Sequence, residues 1–316
     1  LNFYGFTLFF TCAIMTRYAS FVILVPFGIE ILLLLKFKRK VIFHLFISSI
    51  ILFSFSFLHF WLQSSNYGNF LNHEWLSNWS FLNLFSQNFV TIDGVQNYNL
   101  PNIFHAFSSL FDFRFIFLGS FLLFVTVIKK TLISNSRSIL ISFFLYSVFL
   151  GGIPFQNKRF LLLSFPLVII VFYPAFCYLL NLVNPKKIRS IIFIICISFQ
   201  MILISLALKP VIKRNLFEKK LVALLTPYEG KTLYSFEVDI AIKGRGLSFD
   251  YHNMYSYLYN DFHSGDLVFF HPSKFETQWQ GKNPIKNWNY IKENYKLETL
   301  IDGPEGWQLY KILNTE

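Results

Sequence analysis

Two adjacent cations stand out first. Lys158 and Arg159 follow Gln156 and Asn157 in a short polar break, residues 153–160, squeezed between two apolar runs. A guanidinium gives paired hydrogen bonds to phosphate oxygens, and an ammonium beside it adds a point charge. With two side-chain amides next to them, they form a compact donor set suited to a phosphate at a lipid boundary. Simple contact with lipid headgroups is the plainer alternative. Two further cations need their own account. Arg17 lies in Thr16-Arg17-Tyr18 between apolar runs, where a snorkelling side chain is sufficient. Arg114 sits two residues after Asp112, and a local ion pair is sufficient there.

Other chemistry is sparse. The 7 His are scattered and none pairs at ligand spacing, so no zinc or iron site is expected. No cofactor is expected, and a divalent cation has no support in the sequence. His105, in Ile103-Phe104-His105-Ala106-Phe107, fits an interfacial hydrogen-bonding residue. Gly151-Gly152 lacks the following Lys-Ser/Thr of a phosphate loop. Glu30 sits within an apolar run and could mark an ion path, although the basic residues at 36–40 suffice to satisfy it. Asp239, Asp250, Asp261 and Asp266 are scattered without the fixed spacing of an acid–base pair. The 3 Cys, at positions 12, 177 and 196, all lie in apolar runs, which argues against a disulfide framework.

The elements that must hold these residues are set by composition. Hydrophobic residues make up 54% of the 316, charged residues only 14%, and Phe alone numbers 42. An ordinary soluble domain carries roughly 25% charged residues, so a soluble globular enzyme is excluded. A hydrocarbon core of about 30 Å takes about 20 helical residues. Runs at 41–62, 160–183 and 189–208 meet this directly. Runs near 19–35, 113–128 and 138–152 meet it once their flanks are counted. The basic breaks at 36–40, 129–137 and 186–189 then fall on one side by alternation, and the positive-inside rule makes that side the cytoplasm. Residues 1–208 hold 14 of the 28 Lys/Arg and 4 of the 17 Asp/Glu. Topology accounts for ten of those basic residues, so the net charge of +11 does not call for nucleic acid.

Residues 63–112 then form an exterior segment. Trp75, Trp79, Leu82, Phe85 and Phe89 recur at helical spacing in it, which predicts an amphipathic helix at the interface. Residues 209–316 have balanced charge and predict an exterior α/β domain. Strands are expected at 232–238 and 267–270, a helix at 284–295, and a hairpin from 296–301 and 307–312. The expected fold is mainly α: a polytopic transmembrane helix bundle over 1–208 with interfacial helices, plus the small C-terminal exterior domain.

This arrangement resembles the polytopic C-type glycosyltransferases, the superfamily of the dolichyl-phosphate-mannose–protein mannosyltransferases and bacterial aminoarabinose transferases. The resemblance rests on Thr16-Arg17-Tyr18 with Pro26 beyond it. It rests also on Asn157-Lys158-Arg159-Phe160-Leu161 followed by Phe165-Pro166-Leu167. The terminal domain, with Asn287-Trp288 and Gly306-Trp307-Gln308-Leu309-Tyr310, completes it. The resemblance implies transfer of a sugar from a polyprenyl-phosphate donor to a lipid or protein acceptor at the exterior face. Lys158 and Arg159 would hold the donor phosphate, with Gln156, Asn157 and Arg17 contributing. A bacterial inner membrane with a periplasmic C-terminal domain is the implied location. The family's acidic residue lies in a first outer loop that has no counterpart here. The sequence opens on Leu within an apolar run, so that residue is expected upstream of Leu1. A transporter or flippase for lipid-linked sugars, and a non-catalytic envelope protein, are the competing readings.

Overall fold

A computed structural model describes residues 2–16, 20–34, 39–67, 74–91, 93–114, 116–129 and 137–313. Two compact units emerge: Leu1–Phe89 with Asn97–Leu206, and Val90–Gln96 with Ala207–Glu316. The division thus falls two residues before the expected boundary at 208. It also assigns an internal segment, Val90–Gln96, to the second unit.

The first unit is helical. Its helices are α1 (Asn2–Thr16), α2 (Ser20–Leu34), α3 (Arg39–Tyr67), α4 (Glu74–Ser77), α5 (Asn102–Ala106), α6 (Gly119–Ile128), α7 (Arg137–Gly151), α8 (Leu161–Asn181) and α9 (Lys186–Ala207). Helix α2 packs on α7, α7 and α6 pack on α8, and α1 packs on α3. Phe143, Tyr146, Leu150, Val168, Val171, Phe172 and Ala175 form the buried core. Around them, large apolar side chains stay exposed, among them Phe53, Trp61, Phe124 and Ile194. Such a surface is costly in water and suited to lipid.

Among the described residues, three helical stretches are long and apolar enough to cross a membrane: Val41–His59, Lys158–Asn181 and Lys186–Tyr228. The other expected spans form shorter helices. Helices α2 and α7 have 15 residues each and α6 only 10. At about 1.5 Å per residue, α6 is about 15 Å long, half the hydrocarbon thickness. The expected run at 113–128 does not start as a helix. Gln200 of α9 holds its first turn open, accepting from Phe117 N at 2.9 Å and donating to Arg114 O at 3.1 Å.

The expected amphipathic helix after residue 74 is absent among the described residues. After α4, a 3₁₀ turn at Phe81–Phe85 is followed by β1 (Asn88–Thr91) and β2 (Gly94–Asn97). Polar side chains between the aromatics divert the backbone. Ser80 caps the 3₁₀ turn by accepting from Leu82 N at 3.2 Å. Asn83 donates to Asn78 O at 3.0 Å. Ser and Asn compete with helical hydrogen bonds in this way, and here they override the periodicity.

The second unit carries a five-stranded mixed sheet. Its remaining elements are α10 (Lys209–Leu225), β3 (Thr232–Ser235), α11 (Asp239–Gly244), β4 (Asp250–Asn253), β5 (Leu267–Phe270), α12 (Pro272–Gln278), α13 (Asn283–Asn294), β6 (Lys296–Asp302) and β7 (Gln308–Leu313). The strand order is β4-β3-β5-β7-β6. Strand β3 is parallel to both β4 and β5, while β7 is antiparallel to both β5 and β6. All four residues of β5 are buried, as a central strand requires. The expected strand at 232–238 stops at Ser235, because Glu237 adopts a left-handed φ of 66° and turns the chain away. Helix α10 buries Phe217, Leu221 and Leu225 along one face. That i, i+4, i+8 spacing is a helical core stripe.

Candidate functional site

The break between α7 and α8 carries Lys158 and Arg159, and N–H donors from the 79–102 segment hold its main chain. Trp79 Nε1 donates to Phe149 O at 2.8 Å. Asn83 Nδ2 donates to Gly152 O at 2.8 Å, and Ser80 N reaches the same oxygen at 3.1 Å. Asn102, buried, donates to Gly151 O at 3.2 Å and Ile153 O at 2.7 Å. The two glycines permit this closeness. A Cβ on Gly151 would lie 2.9 Å from Leu84 Cγ, and one on Gly152 would lie 2.2 Å from the Trp79 indole. Gly151-Gly152 thus serves packing, not phosphate cradling.

Beyond this clamp the backbone emerges in a fixed conformation. Gln156 N donates to Tyr98 Oη at 3.1 Å, and Gln156 Nε2 donates to Leu100 O at 2.8 Å. Asn157 caps a 3₁₀ turn, Lys158–Phe160, by accepting from Arg159 N at 2.9 Å. Tyr146 Oη closes it with a bond to Phe160 O at 2.8 Å. Gln156 and Asn157 are therefore used first to shape the turn. The Lys158 and Arg159 side chains remain exposed on it. Arg17 lies outside the described residues.

Three further groups belong to this neighbourhood, and the sequence reading gave none of them a role with Lys158. Asp112 accepts from Arg114 Nε at 2.9 Å and Nη2 at 2.7 Å, a bidentate pair. Partial burial works to raise the Asp112 carboxyl, but its bonds to Arg114 and the charge of Lys158 outweigh it and hold the group below its usual range. Burial pushes the His105 imidazole down; the Asn157 main chain opposes this and the Lys158 charge adds to it. Lys158 acts on both groups, and its ammonium has no hydrogen-bond or ion-pair partner among the described residues. No sequence spacing links 105, 112 and 158; only their chemical types were legible.

An apolar groove of about 250 Å³ opens in the same unit between the 116–122 segment, α8 and α9. Phe165, Ile169, Phe172 and Ile197 line it, with Gln200 as a polar contact. Through Gln200, its wall is tied to the main chain of Arg114. Among the described residues no group of three His, Cys, Asp or Glu is placed to hold a metal ion.

Comparison with known proteins adds no identity. No family model, no curated protein and no solved structure matches this chain.

Proposed function

We propose that the chain is a polytopic membrane glycosyltransferase that uses a polyprenyl-phosphate-linked sugar as donor. One observation carries this reading. The turn bearing the exposed Lys158 and Arg159 shares a unit with an apolar groove; the Lys158 charge acts on Asp112, and the main-chain oxygen of its partner Arg114 accepts from Gln200 in the groove wall. A polyprenyl-phosphate needs both features, a cationic grip for its phosphate and an apolar run for its chain.

The roles follow from chemistry. Lys158 and Arg159 would neutralise the phosphate, and most strongly as it leaves, when negative charge accumulates on it. Asn157 keeps an amide N–H to offer, and Gln156 fixes the turn. Arg17 remains a proposed contributor. Asp112 is committed to Arg114 and is a poor proton acceptor, so its part is to position the cations. His105, whose ring bonds the Asn157 main chain, braces the turn beside the phosphate. The sugar is passed to a lipid or protein acceptor at the exterior face of a bacterial inner membrane. The second unit is then periplasmic.

Transfer of a labelled sugar from a polyprenyl-phosphate donor by the purified full-length protein tests this reading. Lys158→Ala or Arg159→Ala lowers transfer about tenfold or more, as expected for loss of a charge-assisted contact. Transfer that both variants leave unchanged removes the donor site. A flippase is the second reading; it predicts donor translocation without release of the carrier phosphate.

A further inference from the structure

We propose that a pocket in the second unit, between the 257–260 loop and α13, binds a single sugar ring bearing an acidic group. This inference is independent of the donor-site reading. The pocket is about 260 Å³ and is lined by Leu258, Tyr259, Asn260, Lys286, Asn287 and Tyr290. Pockets for drug-sized ligands begin at about 300 Å³, so the space suits one ring.

The lining has the chemistry of saccharide recognition. Tyr259 and Tyr290 offer aromatic surface to the C–H face of a pyranose. The Asn260 amide carries donor and acceptor side by side, as vicinal hydroxyls require. Lys286 supplies a cation for a carboxylate or phosphate substituent. Neither the Asn260 side chain nor the Lys286 ammonium has a partner among the described residues. Leu258, which lines the pocket, is 60% exposed.

The pocket is also built rigidly. Asn287, 1% exposed, accepts from Tyr259 N at 2.8 Å and donates to Met254 O and Tyr257 O, each at 2.8 Å. Tyr290 Oη donates to Asn260 O at 3.3 Å, and Tyr259 Oη to Asn253 O at 3.2 Å. A loop fixed in advance loses little freedom on binding.

Saturation-transfer NMR on the full chain in detergent, with glucuronate and glucose as probes, tests the proposal. Glucuronate receives saturation and glucose less. Lys286→Gln, on an exposed helix face, weakens glucuronate about tenfold and leaves glucose unchanged. Tyr290→Ala weakens both. No saturation of glucuronate by the parent chain overturns the proposal. So does glucose matching glucuronate, or glucuronate affinity unchanged in both variants.

Discussion

Lys158 exerts its effect through charge on its neighbours, and those neighbours report on it. The His105 imidazole lies below its ordinary value of 6.5, chiefly from burial and further from Lys158. The unfolded chain therefore takes up a proton at a higher pH than the folded one. Folding gains from this above about pH 6.5 and loses the gain as pH falls through the lowered value. Lys158→Gln should raise the His105 value, and an NMR pH titration of its ring protons checks this. Asp112 has the same sign in a more acidic window. Its contribution is present above the ordinary 3.8 and is lost as pH falls through the depressed value. Arg114→Ala should cost only about 0.5–1 kcal/mol in thermal unfolding, because the Arg114 side chain is 43% exposed and solvent screens the pair. That pair was legible from two residues' separation. The convergence of His105 and Asp112 on Lys158 was not, because it depends on how the 102–112 segment returns to the α7–α8 turn.

At the scale of elements, amide side chains decide more than apolar periodicity does. Gly152→Ala should destabilise the first unit by about 1–3 kcal/mol, since its methyl must displace the Trp79 indole from its bond to Phe149 O. A shift in Trp emission should accompany the loss. Gln200→Leu should cost about 1–3 kcal/mol, because Phe117 N and Arg114 O lose their side-chain partners. Both are measurable by thermal denaturation in detergent. The apolar runs at 41–62, 160–183 and 189–208 were legible because length and composition alone define them, although the last helical stretch, Lys186–Tyr228, continues well past 208. Strand β5 was legible as an uninterrupted apolar run, Leu267-Val268-Phe269-Phe270. The segment from Trp75 to Phe89 misled, because its helical spacing of aromatics carries no information about Ser80 and Asn83. Helix α6 is short for a related reason: Gln200, far along the chain, captures the turn that would have begun it. Helix α10 lacked a strong signal because its Lys and Arg residues mask the stripe of Phe217, Leu221 and Leu225.

For the whole molecule, an apolar surface over the first unit and a charge-balanced second unit follow from one partition of residues. Ten of the 14 Lys/Arg of residues 1–208 lie in three basic breaks between apolar runs. That asymmetry supports the proposed orientation, with the α7–α8 turn on the exterior face. The donor-site reading joins that orientation to the charge of Lys158 and Arg159 and to the groove lined by Phe165, Ile169 and Ile197. Sugar transfer from a polyprenyl-phosphate donor by the full-length protein, compared with Arg159→Ala, tests it most directly. The account predicts transfer by the parent chain and a loss of about tenfold or more in the variant. Equal transfer by the two would contradict it.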